Sequence, residues 1–219
     1  MNKSLARLFC NLKDDDCHIR FAAARTLGEI GKGIPSVEES LIEALRDKTW
    51  FVRLSALQSI KDLQLGPTAV IDNIVPLLKD EHEDVREYAA LTICDLGSLA
   101  APAASSLAEL LSDPVWYVRG TVAWVLGQID CEPKQLCSSL LPCLGDSELE
   151  VRIAAVKALA EGGCNSSGEI VRVLEEITKD GGQPPEVQQE AGDALRKIGV
   201  SGDAMEERET GRKVCQQKS

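Results

Sequence analysis

Apolar residues along this chain follow two nested periods. Within WFVRLSALQSIKDL (residues 50–63), Val52, Ala56, Leu57, Ile60 and Leu63 share one side of a 3.6-residue period, which predicts an amphipathic helix. The preceding PSVEESLIEALRD (35–47) puts Leu41, Ile42 and Leu45 on one face, with Pro35 near its start, where a missing N–H costs nothing. This two-helix unit then recurs. Arg20, Arg53, Arg86, Arg119 and Arg152 stand 33 positions apart, each directly after Ile or Val. An aspartate lies six residues before each of them: Asp14, Asp47, Asp80, Asp113 and Asp146. Small or apolar residues return three, four, seven and ten positions after each arginine. Self-similarity at this period predicts a solenoid, in which each unit buries its apolar face only against its neighbours.

The expected fold is therefore all-α, a right-handed α-α superhelix of about six two-helix repeats, near 1–31, 35–65, 67–97, 102–130, 133–163 and 167–199. Pro67, Pro102 and Pro133 are expected to open first helices. Gly31, Gly66, Gly97 and Gly162–Gly163 fall near the ends of second helices, where φ > 0 is cheap for glycine. The sixth unit carries an insertion, GGQPPE, and has Gln188 in place of the arginine, as an atypical terminal repeat would. Residues 200–219 lack periodic apolar positions and balance four acids against four bases. That composition predicts a disordered tail and leaves the whole formal net charge of -11 on the repeat body.

Composition narrows the function. The chain of 219 residues is 44% hydrophobic but only 4% aromatic, which suits helices packed on helices. Its acidity disfavours nucleic acid and anionic membranes, which need clustered Lys and Arg, and favours a protein partner with a neutral or basic surface, or simply solubility. No apolar run approaches the roughly 18 to 20 residues of a membrane span, and the N-terminus has no signal-like segment. The expected location is cytoplasmic. Eight cysteines include no CxxC pair, and a chain of this size needs no disulfide staples, so reduced thiols are expected. Cys131, Cys137 and Cys143 are six apart and interrupted by Pro133 and Pro142, a poor metal-binding arrangement. With no glycine-rich phosphate loop and no Ser/Cys–His constellation, neither a cofactor, a metal nor a catalytic centre is expected.

The Asp-x5-Arg spacing followed by small residues, Leu and Gly (Arg20-FAAARTLGEIG, Arg152-IAAVKALAEGG) resembles HEAT repeats, an ARM/HEAT-like solenoid, and most of all the short HEAT-like repeats of phycobilin lyase subunits. The resemblance covers about 90% of the chain. It implies that Asp47, Asp80, Asp113 and Asp146 form a hydrogen-bonded ladder with Arg53, Arg86, Arg119 and Arg152 between adjacent units, a role that bidentate guanidinium–carboxylate pairing suits. It also implies an alternative function, as one subunit of a heterodimeric bilin lyase or a related chromophore-handling protein, although no bilin-specific motif is present. Deoxyhypusine hydroxylase is built from similar repeats, but it places His-Glu pairs directly after the arginine to hold two irons. Here those pairs are Phe21-Ala22, Leu54-Ser55, Glu87-Tyr88, Gly120-Thr121 and Ile153-Ala154, and His18 and His82 are the only histidines. HEAT-like alkylpurine DNA glycosylases need a basic channel, which this acidic body does not offer.

What remains is a non-catalytic protein-binding scaffold or adaptor whose second helices line the concave side. Tyr88, Leu91 and Trp124 occupy solvent-facing positions in neighbouring units and are candidate apolar anchors, unless Trp124 packs against its own neighbours. Glu29, Asp62, Asp95 and Glu161 form an acidic row near helix C-termini, where the macrodipole disfavours negative charge by about 0.3 to 1 kcal/mol each. Such a row fits a partner with a basic or mixed basic and apolar surface. Trp50-Phe51 and Trp116-Tyr117 begin alternate second helices, as ridge packing or as a secondary contact site.

Overall fold

The computed structural model describes residues 3–64, 67–162 and 168–199, and the tail expected at 200–219 lies outside them. The described residues form helical pairs in chain order, without strands: α1 (Lys3–Asn11) with α2 (Cys17–Ile30), α3 (Pro35–Ala44) with α4 (Trp50–Leu63), α5 (Pro67–Ile74) with α6 (Glu83–Cys94), α7 (Ala104–Glu109) with α8 (Trp116–Gln128), α9 (Pro133–Leu140) with α10 (Leu149–Glu161), and α11 (Gly168–Lys179) with α12 (Pro185–Lys197). The fold is an all-α solenoid. Second helices stack on second helices, α2 on α4, α4 on α6, α6 on α8, α8 on α10 and α10 on α12.

Sequence dictates each pair locally. Pro35, Pro67 and Pro133 begin α3, α5 and α9. Pro102 does not open α7. It sits inside a 3-10 stretch, Gly97–Ala103, which delays the helix to Ala104. The repeated aspartate makes the turn between the two helices. Asp47, Asp80, Asp113 and Asp146 each accept, through Oδ1, the backbone N–H two residues on, at 2.8, 3.0, 2.9 and 2.9 Å. That side-chain turn reverses the chain just before the second helix starts.

Along every second helix, the residues three, four and seven after the arginine are buried: Ala23, Ala24 and Leu27 in α2, Ala56, Leu57 and Ile60 in α4, and so on to α10. Alanine at one or both of the first two positions lets the helices approach closely, while the third position, Leu or Ile, fills the interface. Gly97 takes φ +59 as expected, but Gly31 and Gly162 do not have positive φ. They are glycines because a Cβ there would collide, at Gly31, with Val37 of the following first helix α3 and, at Gly162, with Leu136 of α9, the first helix of its own repeat.

The cysteines depart from expectation at one position. Cys10, Cys17, Cys94, Cys131 and Cys143 are free, but Cys137 is disulfide-bonded. The absence of CxxC speaks only to near neighbours in sequence, and a solenoid can bring distant cysteines together. Burial holds the thiols of Cys94 and Cys131 above their ordinary range and pushes Cys143 up to about 11. Among the described residues, no helix is long and apolar enough to cross a membrane.

Candidate partner-binding site

Charge at every repeat forms a ladder that runs forward along the chain. Arg20 Nε and Nη2 donate to Asp47 Oδ2 and Oδ1 at 2.6 and 2.9 Å. Arg53 grips Asp80 at 2.7 and 2.6 Å, Arg86 grips Asp113 at 2.7 and 2.9 Å, and Arg119 grips Asp146 at 2.7 and 2.8 Å. The remaining nitrogen of each arginine, Nη1, donates to the backbone carbonyl of the aspartate in its own repeat. One guanidinium thus ties its own turn to the next one, in a bidentate geometry that Lys could not reproduce.

Two members differ from the sequence reading. Arg20, left out of the expected ladder, supplies the partner of Asp47. Arg152, included in it, donates among the described residues to the carbonyls of Asp146 and Ser147 at 2.6 and 3.0 Å, and its buried Nε has no partner. The residue 27 positions on, where the other arginines find aspartate, is Lys179. The hydrogen bond from Arg119 is the main reason that the Asp146 carboxyl lies below its ordinary range, against the opposing effect of burial. Burial alone would raise Asp47, but the bonds from Arg20 and Thr49 together outweigh it and lower the value. These groups are committed to the architecture.

The exposed face is elsewhere. Trp116 and Trp124, 44% and 42% exposed, stand on the same side of α8 with Gly120 between them, an i, i+4, i+8 stripe. Together with Leu91, Tyr117, Thr121, Glu150 and Ala154 they line a cleft of about 280 Å³ that spans α6, α8 and α10. Trp124 and Leu91 therefore meet at one site. Leu91 is half-buried, and Tyr88 packs against the core without lining the cleft. From the sequence, Trp116 and Tyr117 were expected as ridge packing or as a secondary contact site, separate from Leu91 and Trp124, and Gly120 and Glu150 were not singled out. The signal that joins them is the four-residue spacing of 116, 120 and 124, which puts a residue three before the arginine on the same face as one five after it.

The cleft is held in shape by its neighbours. Tyr117 meets Trp116 edge to face, with centroids 5.8 Å apart at 89°, and its hydroxyl donates to Asp84 Oδ1 at 3.1 Å. Burial first, and that hydrogen bond second, push the Tyr117 hydroxyl up to about 12, so it stays a donor. Thr121 Oγ1 donates to Glu87 Oε1 at 2.8 Å. The matching aromatic pair of the second repeat is closed instead. Trp50 stacks face to face on His82, with centroids 3.7 Å apart at 9°.

The acidic row is largely engaged. Glu29 pairs with Arg25 at 3.4 Å, Asp95 with Lys61 at 3.1 Å, and Glu161 with Lys197 at 3.2 Å. Gln128, the residue between Asp95 and Glu161 in the row, also donates to Glu161. Among the described residues, Asp62 is the member of the row that lacks an ion pair. Asp62 and Asp95 share a polar cleft of about 590 Å³ between the C-terminal ends of α4 and α6. Asp16, Cys17 and His18 also bring potential metal-ligand atoms within 4.8 Å of one another. However, the Asp16 carboxylate caps α2 through the His18 N–H, and the His18 ring stacks on Phe51.

Stacked helical pairs, tied by a buried charge ladder and presenting second-helix side chains along one face, define a protein of the α-solenoid class. Residues 38–127 and 71–160 each match the family model for HEAT repeats, and residues 19–47 match the PBS lyase HEAT-like repeat. The chain belongs to the HEAT-repeat family. No curated protein gives a significant match. An engineered protein of known structure superimposes with a TM-score of 0.66 at 24% identity, over 92% of this chain and 100% of its own. A designed armadillo repeat protein, solved in complex with the peptide (KR)4, gives 0.63 at 23%, over 90% and 100%. The complex of CpcE and CpcF of phycocyanin lyase from Nostoc sp. PCC7120 gives 0.59 at 21%, over 89% of this chain and 77% of that one. At these identities the likeness is one of fold.

Proposed function

We propose that this protein is a non-catalytic scaffold that docks a basic and apolar segment of a partner protein on the exposed face of α8. The observation that carries this reading is the cleft lined by Trp116, Trp124 and Leu91. Two large aromatic side chains stay more than 40% exposed in a chain that has few aromatics. Rigid aromatics at the centre of a concave, partly acidic surface are the usual anchors of protein recognition. Asp84, Glu87 and Glu150 around the cleft, with Asp62 further along the second helices, supply charge that would steer Lys and Arg on approach. The designed armadillo relative, which holds a (KR)4 peptide, lends support by analogy of fold.

Trp124→Ala is expected to weaken binding of an octapeptide of alternating Lys and Arg by about 2 kcal/mol, roughly 30-fold in Kd, with little change in melting temperature. Isothermal titration calorimetry and a thermal melt on the same sample check both. Loss of the fold would mean that Trp124 is a core residue, and unchanged affinity would remove it from the site.

A role as one subunit of a bilin lyase is the second reading, supported by the PBS lyase HEAT-like match over residues 19–47. Co-expression with a bilin and its acceptor protein decides it, because a lyase subunit yields a coloured acceptor and a scaffold does not.

A further inference from the structure

We infer that the gap between Trp116 and Trp124 is an arginine-selective subsite, held open by Gly120. The inference rests on the docking reading above and names the side chain that the site takes. Glycine in the middle of a helix is unfavourable relative to alanine, so an interior glycine calls for a reason. Packing supplies one at Gly28 and Gly127, where a Cβ would strike Ser59 and Ala158 of the next second helix. It supplies none at Gly120, where a Cβ would meet only Val151 Cγ2, at an ordinary 3.8 Å. Nor does Gly120 have positive φ. The same position in the neighbouring repeats holds Phe21, Leu54, Glu87 and Ile153, all large. What the missing side chain leaves is space between two tryptophans.

That space has the properties a guanidinium needs. Residues 116 and 124 are separated by eight helical positions, about 12 Å along the axis, which leaves room for a flat group between their rings. Trp116 is braced by Tyr117, itself anchored to Asp84, so the wall is set before a ligand arrives. Indole faces attract cations, arginine above all, because its planar and weakly hydrated head can stack on them. Glu150 lines the cleft, Glu87 and Asp84 border it, and no Lys or Arg is among the lining residues. The second repeat is the internal control. There Leu54 stands in the place of Gly120, Gln58 in the place of Trp124, and His82 covers the face of Trp50, so the equivalent gap does not exist.

The test uses the full chain and three octapeptides in which alanine alternates with arginine, with lysine or with the neutral isostere citrulline, measured by calorimetry. The arginine peptide is expected to bind at least about fivefold more tightly than the lysine peptide, and about tenfold more tightly than the citrulline one. Gly120→Leu fills the gap and is expected to raise the Kd of the arginine peptide at least tenfold, while raising the melting temperature by roughly 2 °C. Gly120→Ala should give the same rise in melting temperature with a smaller loss of binding. Equal affinity for the arginine and lysine peptides, or unchanged binding in Gly120→Leu, would overturn the subsite. If Trp124→Ala weakens the arginine peptide and Gly120→Leu does not, the docking face stands and the arginine gap falls. If the wild-type protein binds none of the three, both fall together.

Discussion

Asp80→Ala is expected to destabilise the protein by about 3 to 5 kcal/mol, because it leaves the buried Arg53 guanidinium without its bidentate carboxylate partner. The two side chains are only 9% and 6% exposed, and Asp80 accepts both Arg53 Nε and Nη2 as well as the N–H of His82. One substitution therefore removes a bidentate ion pair between repeats and the turn that starts α6. Glu81, 3.4 Å from Arg53 but 80% exposed, can recover a little of this and favours the lower end of the range. Glu43→Ala is the control. It removes an ion pair with Lys13 whose members are each about 70% exposed, and should cost under ~1 kcal/mol. Urea unfolding followed by circular dichroism compares the two. In a chain of nearest-neighbour contacts, weakening the junction between the second and third repeats should also broaden the transition and lower the apparent m-value. Acid acts on the same ladder. The carboxyls of Asp47 and Asp146 titrate below their ordinary value when folded. Their stabilisation is complete above about pH 4 and is lost as the pH falls through the depressed values.

Leu159→Ala should cost about 2 to 5 kcal/mol. Leu159 is fully buried in α10, seven residues after Arg152, at the position that fills the stack between successive second helices. Helices α8 and α12 pack on either side of α10, and the short side chains along the seam, Ala155 and Ala158, give the surroundings little freedom to collapse into a void. Thermal melts of Leu159→Ala beside Trp124→Ala separate core from surface. A loss of several degrees in the first and near-constancy in the second is the expected pattern.

The spine of the fold was legible because its signals are periodic. A 33-residue repeat of Asp, Arg and small residues marks the turn, the ladder and the helix seam at once, and each appears where the period puts it from Arg20 to Asp146. Legibility fails where the period slips. Arg152 finds Lys179 at the aspartate position. It also fails where the period holds, from Arg86 to Arg119, since Pro102 lies within the 3-10 stretch 97–103 instead of opening α7. The disulfide at Cys137 was not foreseen, because the absence of a CxxC pair says nothing about cysteines further apart in sequence. The site was half legible. Trp124 and Leu91 were visible as outward positions, but Tyr88 was not distinguished from them: Tyr88 and Leu91 are both half-buried, and only Leu91 lines the cleft. Trp116 was read by its place at the helix start, whereas its relevance comes from the face it shares with Gly120 and Trp124. Glu29, Asp95 and Glu161 look free in the sequence, yet find Arg25, Lys61 and Lys197 once the chain folds.

The account turns on whether the exposed face of α8 receives a peptide. Amide and indole chemical shifts of the isotope-labelled protein, followed while the alternating Lys and Arg octapeptide is added, test that directly. The predicted result is a set of saturable shifts confined to Gly120, Thr121 and the indole N–H groups of Trp116 and Trp124, with smaller changes at Leu91, Glu150 and Ala154. Shifts centred on the first helices α7 and α9, or no saturable shifts at all, would contradict it.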